Sequence, residues 1–450
     1  MNRREFIKTG AGAFFIASAG AAFGAGAASN RLRFALVGCH EKGRGFAVMK
    51  KALTNPGLEI ACVCDVDARA MDFCADWLVK NGHPAPRKEK DFRKVLKMAD
   101  IDGVISETPD HFHAWSAIMA MRAGKHVYVE KPCAFCPAEA ELLLETWKKT
   151  GLCLQVGSQR RSAPSVINAI SAIRSGDLIG RPKWGKTWYM TKRKPIGKGV
   201  VTDPPAWLDW DLWQGPAPRQ SFRDNIVHYN WHWFRNWGTG ECGNNSVHFV
   251  DIARWCLGAE AHPKRVTSGG GRFWIPADTD WEWPDTQNVT WEYADGKCIT
   301  WEGLSCENRK PFMNVSTGAL VYGDKGVAFF APGGDAEVFD EKGKSIMRWD
   351  AKTGGAPKLT NTDDRSGGGW TDATGEHFGN FMDAIRANDP KRCAANAEIG
   401  VKSTSLALVA NVAHFTGGAL DLDATTGRPV GNAAADRIWS REYAPGWELA

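Results

Sequence analysis

The chain has 450 residues, 43% hydrophobic and 24% charged, a globular composition without a disorder signature and long enough for two or three domains. Its net charge is +5, of which the first thirty residues supply +2 (Arg3, Arg4 and Lys8 against Glu5). The remaining +3, with no dense Lys/Arg run, argues against nucleic acid or a membrane surface as partner.

The paired arginines of NRREFIK open the chain, and an uncharged Ala/Gly/Phe stretch follows from Thr9 to Asn30. With Ala25-Gly26-Ala27 as cleavage site, residues 1–30 read as a twin-arginine export signal. The expectation is a periplasmic or otherwise exported protein with no membrane association after cleavage. RFALVG (33–38) then predicts a strand, a glycine-bearing loop follows, and a helix is predicted from Phe46 to Leu53. LEIACVCDVD (58–67) is a second strand ending in acids, followed by helices at 68–80 and 91–98. GVISET (103–108), a helix from about His113 to Ala123, the strand of HVYVEKP, a helix over 137–149 and LCLQVG (152–157) complete the series. Strands alternating with helices at this spacing predict a doubly wound parallel sheet, a Rossmann domain over 31–155. Residues 156–450 predict an α+β domain. RPKWGKTWYM is a strand, and NVTWEY/CITWEG, ALVYG/GVAFFA and AEVFD/SIMRW are hairpins of a mostly antiparallel sheet. Helices are predicted at 165–175, 245–257, 375–387 and 397–415, and the Gly- and Asp-rich 351–370 is a candidate lid. Twelve cysteines form no small-scaffold disulfide pattern: Cys62 and Cys64 share a strand face as small hydrophobes, and the lone CxxC of Cys133 and Cys136 does not make a zinc site.

Three constellations carry chemistry. VYVEKP (127–132) ends a strand at the sheet edge where ligands of such folds collect, placing Glu130 beside the cofactor and the Lys131 ammonium beside a substrate hydroxyl. Lys131–Pro132 can be cis, since only X–Pro bonds adopt that form cheaply. In the first loop, Gly38, Gly43 and Arg44 suit a dinucleotide pyrophosphate, but His40 stands where the fingerprint wants its middle glycine. Asp65, 27 residues after Gly38, would bind the ribose hydroxyls and repel a 2′-phosphate, favouring NAD over NADP; Asp67 is the fallback. Thr108, Pro109 and His113 of SETPDHFHAW end the third strand at the cofactor edge, and no ligand set for a metal accompanies them. In GECGNNSVHFVDIARW, the residues Asn244, His248, Asp251 and Trp255 recur at helical spacing on one face. His248 suits proton acceptance from an alcohol, with Asn244 orienting the same hydroxyl, although a core histidine satisfied by Asp251 would give the same pattern. The stretches 207–218 and 228–237 hold six of the 21 tryptophans. Tyr229, Trp231 and Trp237 are therefore candidate platforms for a sugar ring, the alternative being packing of a long loop.

Together the strand-one loop, TPDHFH, VYVEKP, VGSQRRS (156–162) and GNNSVHFVDIARW resemble the Gfo/Idh/MocA family, the glucose–fructose oxidoreductase and inositol dehydrogenase group. The resemblance implies a Rossmann domain, a second domain with an open sheet whose exposed face makes oligomer contacts, and bound NAD(P). It also implies hydride transfer on a sugar, cyclitol or polyol, with Lys131 binding substrate and relaying protons and His248 as catalytic acid/base; Asp251, on the His248 face, is a further candidate at the substrate. Two positions depart from the family pattern: His40 replaces a glycine, and Asn244 stands where Asp is usual. Because NAD is scarce outside the cytoplasm, the expected activity is an oxidoreductase whose tightly held NAD is recycled within each turnover. The alternatives are a redox-neutral glycoside hydrolase or lyase working through a 3-keto intermediate, and a non-catalytic sugar-binding protein on the same fold.

Overall fold

The computed structural model describes residues 31–310, 312–353, 357–358 and 372–449. The proposed export signal (1–30) and most of the candidate lid (351–370) lie outside these residues.

The first domain is built on a six-stranded, all-parallel sheet: β1 (Leu32–Val37), β2 (Leu58–Cys64), β3 (Arg87–Glu89), β4 (Gly103–Ser106), β5 (His126–Val129) and β6 (Leu154–Val156), in the order β3-β2-β1-β4-β5-β6. Its central strands are continuous apolar runs because both faces are covered. On one face α1 (Arg44–Ala52) and α2 (Ala68–Lys80) pack Val48, Met49 and Leu78 onto Phe34 and Leu36. Helix α3 (Phe92–Val95) is a single turn; α4 (Asp110–Arg122) and α5 (Pro137–Thr150) cover the other face with Ala117, Ile118 and Leu143. Local chemistry sets the helix ends. The Asp67 carboxylate accepts the Arg69 N–H to cap α2, Pro137 opens α5, and Gly151 ends it in the left-handed region.

Beyond α6 (Pro164–Ser175), β7 (Pro182–Lys192) begins the second sheet. The short helix α7 (Trp210–Gln214) and the longer α8 (Val247–Leu257) precede β8 (Arg265–Gly271), β9 (Thr286–Glu292), β10 (Cys298–Leu304) and the short β11 (Cys306–Glu307). Then come β12 (Thr317–Gly323), β13 (Gly326–Phe330), β14 (Ala336–Asp340), β15 (Ser345–Trp349) and β16 (Pro357–Lys358). All three predicted hairpins form, and the pairing is antiparallel except between β7 and β10. Helices α6 and α8 pack Ile170, Val250 and Leu257 against Ile299, Trp301 and Val321 of the sheet.

The two sheets share their last helices. In α9 (Thr374–Arg386), Phe378 and Phe381 pack on Phe34 and Tyr128 of the first sheet. In α10 (Ala397–Phe415), Val401 and Leu408 face the first core, while Leu406 and Val409 face the second; the Leu406 carbonyl accepts Trp291 Nε1–H at 2.9 Å. The chain after residue 372 thus returns to the domain that precedes residue 156. Strand β17 (Ala419–Asp421) closes the second sheet against β8, and α11 (Ala433–Ile438) follows it.

Candidate active site

The carboxyl ends of β1, β2, β4 and β5 converge on a cavity of about 890 Å³, inside the usual range for small-molecule sites. The strand order reverses between β1 and β4, the position where ligands bind open α/β sheets. At Gly38 (φ 84°) a Cβ would come within 2.6 Å of the Glu107 carbonyl, so the turn requires glycine. Gly43 is the N-cap of α1, while the close packing of helix on loop falls to Gly45, whose Cβ would lie 1.9 Å from the Gly38 carbonyl. Asp65 stands at the cavity wall, its carboxylate accepting the Cys39 N–H (2.7 Å) and the Asp67 N–H (3.0 Å). One bond to each oxygen leaves lone pairs for the two hydroxyls of a ribose. Asp67, the fallback, is fully buried and committed to capping α2 and to Arg69.

His40, Gly43, Arg44, Thr108, Pro109, His113 and Glu130 also line the cavity. His113 Nδ1–H donates to the Pro132 carbonyl at 2.7 Å, which leaves Nε2 as an acceptor without a partner. Glu130 is held by Arg44 Nε–H (3.3 Å) and by the Lys131 N–H (3.0 Å). Glu107 has both carboxyl oxygens buried and unpartnered, and burial, reinforced by Glu130, pushes its pKa well above the usual carboxylate range. A glycine cradle, a carboxylate with lone pairs to spare and an orphaned ring nitrogen at one sheet edge fit a dinucleotide.

The Lys131–Pro132 bond is cis, and Lys131 Nζ–H donates to Asn244 twice, at the side-chain oxygen (2.9 Å) and the carbonyl (2.6 Å). Burial lowers the Lys131 pKa from the ordinary lysine value. Asn244 lies in a π-helical turn, Cys242–Ser246, leading into α8. Such insertions are rare and concentrate at functional sites. The wider turn breaks the straight i, i+4 stacking read from the sequence. Asn244 and Asn245 line the cavity, whereas His248 is partly buried and outside its lining. Burial, with the cations Arg160, Lys131 and Arg44 adding to it, holds His248 far below the usual histidine pKa.

Asp251, expected at the substrate, is instead structural: it forms a buried ion pair with Arg161 (2.7 and 2.8 Å) and accepts Ser403 Oγ–H at 2.5 Å, tying α8 to α10. Burial alone would raise its pKa, but Arg161 and Arg254 bring it below the ordinary value. Trp237, fully buried, stacks edge-on against Trp210 and Trp213 as loop core and does not reach the cavity. Tyr229 and Trp231 do reach it. Helical and aromatic patterns mark a face or a cluster, and cannot tell which member points at solvent-filled space.

Sequence reasoning missed His232 and Arg193. His232 stacks on Trp231 (3.6 Å between centroids), its Nδ1–H donates to the Tyr229 carbonyl (2.6 Å), and burial lowers its pKa to about 4. The neutral ring is left with Nε2 as an acceptor at the cavity. Arg193 at the end of β7 forms two 3.2 Å bonds to buried Glu241 and one to the Tyr229 hydroxyl. His232 was visible within HYNWHWFRNW; nothing in the sequence around Arg193 singles it out. Among the described residues, His40, Asp67 and His228 form a group that could hold a metal, their ligand atoms within 4.8 Å of one another. Arg69, however, already occupies both Asp67 oxygens, and the two rings lie face to face at 4.2 Å, a stacking arrangement.

Residues 32–158 match the oxidoreductase family with an NAD-binding Rossmann fold, and residues 183–327 match the C-terminal alpha/beta domain of the same oxidoreductase family. The chain belongs to the Gfo/Idh/MocA family. Its first domain is the NAD-binding domain of that oxidoreductase family. It is 34% identical over 161 residues to 4-carboxy-2-hydroxymuconate-6-semialdehyde dehydrogenase of Sphingobium, covering 36% of this chain and 49% of that one. It is also 34% identical over 152 residues to a glycosyl hydrolase family 109 protein of Saccharopolyspora erythraea, covering 33% of each. The chain therefore spans between a third and half of these curated relatives. The fold of aldose–aldose oxidoreductase from Caulobacter crescentus, solved with glycerol, superposes with a TM-score of 0.63 at 17% identity, over 87% of this chain and all of that one.

Proposed function

We propose that the protein is an exported oxidoreductase that transfers hydride at a hydroxyl-bearing carbon of a sugar or polyol and keeps its NAD bound, recycling it within each turnover. The observation that carries this is the placement of Lys131, gripped by Asn244, in the same cavity as the Gly38–Asp65 cofactor cradle. NAD, when bound, supplies the hydride acceptor. The chain supplies the rest. Lys131, its pKa lowered by burial, can take the hydroxyl proton as an amine or stabilise the alkoxide as an ammonium. His232 Nε2 offers a second acceptor, and Tyr229 and Trp231 offer ring faces to an apolar C–H surface. Asp65 selects NAD over NADP by repelling a 2′-phosphate.

The structural likeness to aldose–aldose oxidoreductase supports an aldose as substrate, and in this protein oxidation of one sugar followed by reduction of another would return the bound cofactor to its starting state. The similarity to a glycosyl hydrolase family 109 protein supports a second reading, redox-neutral cleavage of a glycoside with the hydride returned. The twin-arginine sequence supports export, and the open second sheet supports a homo-oligomer. One experiment separates these readings. Aldoses, polyols and glycosides are offered to the purified protein without added NAD, and Lys131→Ala is assayed in parallel. Product formation without accumulating NADH, lost by about a thousandfold in the variant, is expected. Steady stoichiometric NADH release would sink recycling, and unchanged ligand affinity with no turnover in either protein would leave a binding protein.

A further inference from the structure

The segment from Arg193 to Tyr229 leaves the second domain and is fastened to the β2–α2 junction of the first. Leu208 pairs with Asp67 in an antiparallel bridge, the Asp209 N–H donates to the Val66 carbonyl (3.0 Å), and the Ala68 N–H donates to the Trp207 carbonyl (3.2 Å). Lys90 Nζ reaches the Asp209 carboxylate at 2.8 Å. A continuous stack joins the same elements. The Arg69 guanidinium lies 3.6 Å over Trp207, Trp207 is stacked on His228 (5.5 Å, 26°), and His228 is stacked on His40 (4.2 Å, 27°). His228 Nε2 also sits 3.1 Å from Asp67 Oδ2.

His40 and His228 of this stack line the cavity. Asp65, Val66, Lys90 and Phe92 of the first domain line the same cavity, as does Trp213 of the segment. Asp65 and the Gly38 loop mark the part of the cavity suited to the adenosine and pyrophosphate of a dinucleotide. A dinucleotide held by Asp65 and the Gly38 loop would lie beside the stacked His40–His228 pair. The ring at the middle fingerprint position thus finds its partner in another ring, contributed from about 190 residues away, and turns toward it.

We propose that the Arg69–Trp207–His228–His40 stack is a latch that closes the segment over the adenosine end of the site and makes dinucleotide release slow compared with turnover. It rests on the reading of a retained, recycled NAD and supplies the physical means. Cation–π and aromatic stacking are each modest, but they act together with two domain-bridging backbone bonds, so the segment must open as a unit. None of these contacts involves Lys131 or Asn244, and holding the cofactor is thereby separate from moving the substrate's proton.

The test measures exchange of bound NAD for isotopically labelled NAD by mass spectrometry, in the full chain and in Trp207→Ala, His228→Ala and Lys90→Ala. Lys90 is 59% exposed, so its variant loosens the segment without disturbing a core. Exchange at least tenfold faster in the two stack variants, and faster to a lesser degree in Lys90→Ala, is expected. Thermal melts of each variant separate a loosened latch from a loosened fold: faster exchange with an unchanged melt supports the latch. Equal, slow exchange in all four proteins would overturn the latch and leave recycling standing. Fast exchange in the unaltered protein, with NADH accumulating alongside product, would overturn recycling and the latch together.

Discussion

Lys131 and Asn244 make the sharpest residue-scale prediction. The Asn244 amide accepts a hydrogen bond from the ammonium but carries no compensating charge, so burial dominates the Lys131 pKa and lowers it. Asn244→Asp would put a carboxylate at that 2.9 Å contact, favour the charged lysine and raise its pKa. The limb of the pH–rate profile that reports the free amine should then move about 1–2 units to higher pH, with NAD content unchanged. Glu107 tests the opposite sign. Its folded pKa is raised, so between the unfolded value near 4.3 and the folded one the native state binds the extra proton, and its contribution to stability is lost as pH rises. Glu107→Gln should therefore stabilise the protein at pH 8 by about 1–3 kcal/mol, with the gain shrinking toward pH 4; denaturant midpoints at the two pH values check it.

At the scale of elements, the parallel strands were legible because strands buried on both faces leave continuous apolar runs, and the hairpins because their turns carry Asp-Gly, Asp-Lys and Lys-Gly pairs. Their ends were legible too, which is why Gly38, Asp65, Thr108 and Lys131 all arrive at one cavity. The π-turn at Cys242–Ser246 was not, since its residues carry the same helical periodicity as an ordinary turn and only the backbone hydrogen bonds distinguish them. That single inserted residue separates Asn244, at the cavity, from His248 and Asp251, and it decides which polar groups of the helix are available to substrate. The consequence is measurable: His232→Gln should cut turnover more than tenfold, and more than His248→Gln does. Helix α9 gives a stability prediction. Phe378 is fully buried and stacked on Tyr128 at 4.1 Å, so Phe378→Ala should cost about 3–5 kcal/mol, read as a fall in the urea midpoint.

For the whole molecule, two domains were legible but their interleaving was not. Nothing in a linear reading says that helices after residue 372 will cover the sheet that ends at residue 156, because both cores accept the same apolar side chains. Shared helices make unfolding of one domain expose the other, so a single calorimetric transition is expected for the described fold. Acid should trigger it. His111 and His377 are fully buried, with pKa values lowered by burial to about 3 and about 4. From about pH 6.5 down to 4 the unfolded chain takes up protons that these rings refuse, so stability falls as pH falls, by up to about 1.4 kcal/mol per unit for each ring. The fold also settles the fate of its sulfur. All twelve cysteines are free and ten are buried, with only Cys298 and Cys306 partly accessible. A thiol reagent should thus label two sites quickly and the other ten only as the protein breathes, so the alkylation rate becomes a clock for native-state opening that needs no engineered label.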